Sequence, residues 1–253
     1  MSENFDPKGY YAVLNLPLDA GSDLIKQNYR DLAKLWHPDH NIAPNAMEKF
    51  QLLSAAYETL SDERRRLVYD LLALVYGPGD FPDIETIEPF RADGENNQAD
   101  IRVLNLKQVR GLLWTYRADN NRYYVTASQA VRRELKTSWL NWLLGWWSPQ
   151  AFLKNIAALI ENFRQVNPRA DNLRLLVHNA AAYLQAEQSE AAARSAVMAL
   201  DYAVNAQYLP LQRLLSDLGI RVSRPQRWNF AILKLVQLTF PLALAVLALL
   251  PPS

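Results

Sequence analysis

An amphipathic helical run that stops at a proline constrains this chain more than any other feature. Ile25, Tyr29, Leu32 and Trp36 recur at the three- and four-residue spacing of one helix face, Ser22 can cap the start, and Pro38 ends the run. Ala46, Phe50, Leu53, Tyr57 and Leu60 repeat the pattern, so a second helix is predicted from about Pro44 to Leu60. Two helices joined by so short a loop pack antiparallel. Ser61 opens a third segment, SDERRRLVYDLL, with acids in its first turn where the helix dipole favours them. Upstream, GYYAVLNL supplies a short apolar helix before Pro17. Together these segments predict a helical bundle over residues 6 to about 72, with His37, Pro38 and Asp39 at the tip of its central hairpin.

The tip and its flank are chemically specific. Lys26, Arg30 and Lys34 recur every fourth residue and form a positive stripe on a different face of the same helix. Pro38 fixes φ and holds the loop, while Asp39 offers a carboxylate that a partner's arginine can grip through charge-assisted hydrogen bonds. His37 has no second histidine placed for a shared metal and no cysteine, so no metal or cofactor is expected. The tripeptide reads as a key for a partner rather than an active site.

Four stretches in order, YYAVLNL, YRDLAKLWHPDHN, KFQLLSAAYETLSD and RRRLVYD, resemble the J-domain of the Hsp40 (DnaJ-like) co-chaperones. The resemblance implies a helical J-domain over residues 1–72. It also implies that His37, Pro38, Asp39, Lys26, Arg30 and Lys34 dock on an Hsp70 (DnaK-like) chaperone and stimulate its ATP hydrolysis. Asp31 departs from the family, which often has another basic residue there. Neither the glycine/phenylalanine region nor the cysteine-rich zinc module of the best-known members follows, so the resemblance is to the divergent type.

Composition excludes several other classes. Lysine plus arginine number 27 against 26 acids, which gives no global pull toward nucleic acid, and the absence of cysteine removes disulfides and thiolate chemistry. The N-terminus MSENFDPKG has no apolar run and reads as lacking a signal peptide. No paired carboxylates, Ser-His-Asp set or phosphate-cradling glycine loop stands out, so no enzyme is expected.

Residues 73–100, acidic and turn-rich from Gly77 onward, read as a linker. A mixed middle region, 101–170, begins with IRVLNL, LLWTYR and RYYVTAS, the last two joined across ADNN with Asp119, Asn120 and Asn121 as the expected turn of a β-hairpin. Tyr116, Tyr123 and Tyr124 are assigned to cross-strand packing, because no basic run accompanies them for nucleic-acid stacking. Trp139, Trp142, Trp146 and Trp147 crowd residues 137–152, which suits either a buried core helix or a seat in a membrane interface. Residues 171–220 read as an alanine-rich helical hairpin split near Glu187 to Ser189 that caps the middle region, with His178 as a tolerated polar group.

The last signal is FAILKLVQLTFPLALAVLALL, residues 230 to 250, long and apolar enough to span a bilayer with Lys234 near its entry. Arg221, Arg224 and Arg227 precede it, which orients the N-terminal part to the cytosol. A buried amphipathic helix is the competing assignment, since Lys234 and Gln237 lie near one face. The whole chain is therefore expected to be mainly α, a membrane-anchored co-chaperone for an unspecified client, with a transmembrane helix at 228–250. The alternative is an assembly protein that uses a J-like bundle only as a docking surface.

Overall fold

The computed structural model describes residues 5–92, 100–164, 168–204 and 208–219, with 231–232, 235, 237–240, 242–243 and 246. The fold is mainly helical with one small sheet. In chain order the elements are α1 (Tyr10–Val13), α2 (Ser22–Trp36), α3 (Ala46–Ser61), α4 (Glu63–Ala73), β1 (Arg102–Leu112), β2 (Thr115–Val125), α5 (Ala127–Leu144), α6 (Pro149–Arg164), α7 (Arg169–Gln185), α8 (Ser189–Leu200) and α9 (Tyr208–Leu218). They divide into two units, Met1–Pro89 with Leu176–Arg224, and Phe90–Leu175 with Pro225–Ser253.

In the first unit the predicted bundle forms almost residue for residue. Tyr11, Leu14, Ile25, Ala56, Val68 and Tyr69 are at most 2% exposed and make its core. Asp62, one residue later than expected, caps α4 by accepting a hydrogen bond from Arg65 N at 2.8 Å. Tyr69 ties the start of the chain to α4: its hydroxyl donates to Asp6 at 2.5 Å and accepts from Lys8 N at 3.1 Å. Burial and the Asp6 carboxylate raise its ionisation above the ordinary range.

The alanine-rich pair is divided: the start of α7, through Asn172 and Leu175, packs on the middle region as expected, and from Leu176 onward the pair belongs to this first unit. Ala180, Ala181, Ala192, Ala196 and Ala199 are fully buried, small side chains that let helices approach closely. His178 is no bystander. It is 7% exposed, with Nδ1 2.7 Å from the Tyr76 hydroxyl and Nε2 3.0 Å from Glu88 O. The segment expected to be a linker is likewise packed, with Ile84 8% exposed and Arg65 3.3 Å from Glu85. Its last part, 93–99, lies outside the described residues.

The second unit is built on the antiparallel pair β1–β2, whose register sets Arg102 opposite Val125 and Leu112 opposite Thr115. The turn is therefore at Leu113–Trp114, with Leu113 at φ 52°, and not at Asp119–Asn121, which pair with Gln108, Lys107 and Leu106 inside the ladder. The Asp-Asn-Asn turn signal loses because the ladder is locked from its other edge. Three asparagines from helices meet the outward backbone groups of β1. Asn172 accepts from Val103 N at 2.8 Å, Asn162 accepts from Lys107 N at 2.7 Å, and Asn141 accepts from Val109 N at 2.8 Å. Asn141 and Asn162 also donate to Lys107 O at 2.9 and 2.8 Å. An edge that would otherwise be open is thus closed by amide side chains at alternate residues. Tyr123 and Tyr124 point to opposite sides and pack there, Tyr123 against the cluster of Leu104, Leu106 and Val125, and Tyr124 stacked on Phe90 at 4.8 Å. Tyr116 stays 40% exposed.

Most of the segment expected to cross a membrane lies outside the described residues. Among those described, no helix is long and apolar enough to cross one. Gln237 is 5% exposed; its side chain donates to the Glu134 carboxyl, and its carbonyl accepts from Ser138 Oγ at 3.0 Å.

Candidate functional site

The tripeptide sits where α2 ends. Trp36 is the last helical residue and His37, with φ −61° and ψ 129°, turns the chain into extended geometry, as a residue before proline must. His40 N and Asn41 N then donate to His37 O at 3.1 and 2.9 Å, which closes a compact corner. Within it Asp39 N donates to His37 Nδ1 at 3.2 Å, and the Asp39 carboxylate lies 3.7 Å from the same nitrogen. The Asp39 side chain is 77% exposed and that of His37 41% exposed. Both are therefore available to a partner while held in one arrangement.

Two residues that the sequence reading passed over hold this corner. Asn41 Nδ2 donates to Leu35 O at 2.9 Å and its Oδ1 accepts from Ala43 N at 2.9 Å, stitching the helix end to the loop. Phe50 sets its ring edge-on to His37 at 5.3 Å. The signal for Asn41 was legible, because asparagine favours just such side chain to backbone turns. For Phe50 the periodicity gave its place on the apolar face of the helix, but its approach to His37 shows only once the helices are paired.

Lys26, Arg30 and Lys34 are all exposed along α2, and none pairs with an acid among the described residues. Four-residue steps of about 1.5 Å per residue make the stripe roughly 12 Å long, running toward the tripeptide. Asp31 is exposed beside it. The buried side of the same helix is fixed by Ile25, fully buried, by Tyr29 stacked on Tyr57 at 4.0 Å, and by Trp36, whose ring carries Lys49 Nζ at 3.8 Å. All six residues singled out from the sequence thus lie on α2 or the corner that ends it.

This arrangement matches a known family. The DnaJ domain matches residues 9–70. Residues 9–70 form a J-domain. Over 63 residues the chain is 48% identical to DnaJ homolog subfamily B member 5 of Mus musculus, covering 25% of this chain and 18% of that protein. It is 42% identical over 76 residues to the Chaperone protein DnaJ of Lacticaseibacillus casei, and 47% identical over 77 residues to that of Dictyoglomus thermophilum, in each case covering 20% of the relative. The chain thus spans about a fifth of the length of the curated relatives it matches.

Proposed function

We propose that the chain is a membrane-tethered J-domain co-chaperone that docks on an Hsp70 (DnaK-like) chaperone and stimulates its ATP hydrolysis, bringing it to a client at the membrane. The observation that carries this reading is the exposed His37-Pro38-Asp39 corner, its backbone closed by hydrogen bonds, continuous with the cationic stripe of α2. An exposed carboxylate at the tip suits an arginine of a partner, and a row of cations suits an acidic surface. The J-domain relatives, two of them chaperones by name, support the same partner. The tether rests on residues 230–250, apolar over a bilayer's thickness, and on Arg221, Arg224 and Arg227 ahead of them, which favour a cytosolic J-domain.

Asp39→Asn and His37→Gln each abolish stimulation of an Hsp70 ATPase in single-turnover assays while helix content stays unchanged. Full stimulation by either variant overturns the co-chaperone half and leaves a bundle used for docking alone. Alkaline carbonate extraction tests the tether. The full-length chain stays with the membrane and a variant lacking residues 228–253 is released; a full-length chain stripped into the supernatant overturns the tether and leaves the co-chaperone half standing.

A further inference from the structure

The helices that follow the β-hairpin are turned inside out. On α5 the buried side chains are Ala130, Glu134, Thr137, Ser138 and Asn141, while Leu135, Trp139 and Leu143 are 39%, 43% and 53% exposed. On α6 Ala151, Asn155, Ala158 and Asn162 are buried, and Phe152, Leu153, Ile156, Ile160 and Phe163 face outward. A helix in water shows the opposite order, and an apolar patch of this extent marks a surface that something covers. Two of the exposed indoles have their polar ends satisfied: Trp139 Nε1 donates to Thr239 Oγ1 at 2.9 Å and Trp147 Nε1 to Leu143 O at 2.6 Å. The hairpin tip adds to this surface. Leu112, Leu113 and Trp114 are 71%, 71% and 82% exposed, and Gly111 lies so close to Ser148 and Ala151 that a Cβ there would meet Ala151 Cβ at 2.6 Å.

Beside this face a cleft of about 350 Å³ opens between the β-hairpin and α5. Arg110, Arg117, Arg133 and Lys136 line it against a single acid, Asp119, which Arg117 already holds at 3.0 Å. Gln108, 8% exposed, also lines the cleft. Its Oε1 accepts from Arg110 at 3.1 Å, and its Nε2, a buried donor, has no partner among the described residues. Thr137, 8% exposed, contributes a hydroxyl. Three cations beyond the one that Asp119 holds, with Arg133 set over the Tyr123 ring at 4.3 Å, together with the amide donor and a hydroxyl suit a ligand group with one or two negative charges and several acceptor oxygens, which describes a phosphate.

We propose that this cleft binds the phosphate of an anionic phospholipid, with the apolar face of α5 and α6 seated in the membrane interface beside it. A free phosphate would need the cleft alone. The apolar face next to it favours a lipid, since Lys136 and Leu135 are neighbours on α5, about 100° apart around the axis. So does the contact of Trp139, on that face, with Thr239 and Phe240. The inference deepens the membrane reading above and rests on it.

The full-length chain is reconstituted into vesicles carrying brominated phosphatidylcholine or brominated phosphatidylglycerol, and quenching of tryptophan emission is read for each. A tether by itself gives equal quenching, whereas the cleft gives a preference for phosphatidylglycerol. Arg110→Gln, Arg133→Gln and Lys136→Gln each lower that preference about fivefold. Thr137→Val and Gln108→Met lower it as well, although they change no charge. Equal quenching by the two lipids overturns the proposal, and so does a preference that survives Thr137→Val and Gln108→Met, which would reduce it to diffuse charge attraction. Displacement by soluble glycerol phosphate in a chain with no lipid preference assigns a free phosphate and overturns the lipid. Failure of the tether is read separately: alkali then strips a chain that still prefers phosphatidylglycerol at neutral pH.

Discussion

Glu134 is the residue whose surroundings most oppose its charge. It is 1% exposed, one carboxyl oxygen accepts from the Gln237 amide, and the other meets no donor among the described residues. Burial pushes the carboxyl up from about 4.5 to about 7, against the smaller opposing effect of the Gln237 hydrogen bond. A raised carboxyl has a definite consequence for stability. Between about 4.5 and about 7 the folded state holds the proton that the unfolded state has lost, so stability falls as pH rises through that window. The loss is roughly 3 kcal/mol at most. Glu134→Gln reduces this slope, which urea titrations of the full chain at pH values across the window show as a smaller fall of the midpoint than in the wild type, with the share from Asp70 remaining. Asp70 behaves alike in the first unit. Burial lifts it to about 6, while the Tyr11 hydroxyl, donating to it at 2.8 Å, and Arg66 hold it lower than burial alone would. Neither group could be singled out from the sequence, where each is an ordinary acid in a helical run.

At the scale of elements, α2 turns a packed face inward and a cationic face outward, and the docking proposed for the second is tested by substitution. Charge reversal of Lys26, Arg30 and Lys34 to glutamate weakens Hsp70 binding with helix content preserved, and wild-type binding falls as salt rises, because exposed charges are screened within about 8 to 10 Å at physiological ionic strength. A salt-independent affinity would reduce the stripe to solvated surface. Asp31→Lys acts in the opposite direction and strengthens the encounter. The asparagine clamps on β1 make a different kind of prediction. Asn162→Ala strips Lys107 N of its acceptor, a loss of about 1–3 kcal/mol read as a shift of the urea midpoint followed by tryptophan emission. Here the sequence was legible only in part. The alternation of β1 announced a strand, but Asp119 to Asn121 announced a turn that the ladder overrules. The true turn at Leu113 and Trp114 carries no turn chemistry. Residues 137–152 left two assignments open for the same reason, since helical periodicity says that a stripe of tryptophans shares a face but not whether that face looks in or out.

At the scale of the whole chain, the J-domain is one part of a unit completed by residues more than a hundred positions later. His178 joins Tyr76 and the Glu88 carbonyl, and Arg64 meets Glu187 at 2.5 Å. The exposed ion pair adds little, whereas the buried histidine leaves two polar partners unanswered when removed. His178→Ala therefore lowers the stability of this unit by about 1–3 kcal/mol, measured by hydrogen exchange at α4 amides, while Hsp70 stimulation below the unfolding transition is retained. A loss of stimulation with stability unchanged would instead make His178 part of the docking machinery. By itself the sequence determined the bundle of α1 to α4 and the corner at His37 to Asp39, because these depend on local periodicity, a proline stop and caps, all of which act within a few residues. Only the tertiary structure decided that the alanine-rich pair joins the J-domain, that asparagines close the edge of β1, and that the apolar faces of α5 and α6 point outward. Each of these depends on which distant surface meets a given face, and a helix or strand period is the same whichever way that face is turned.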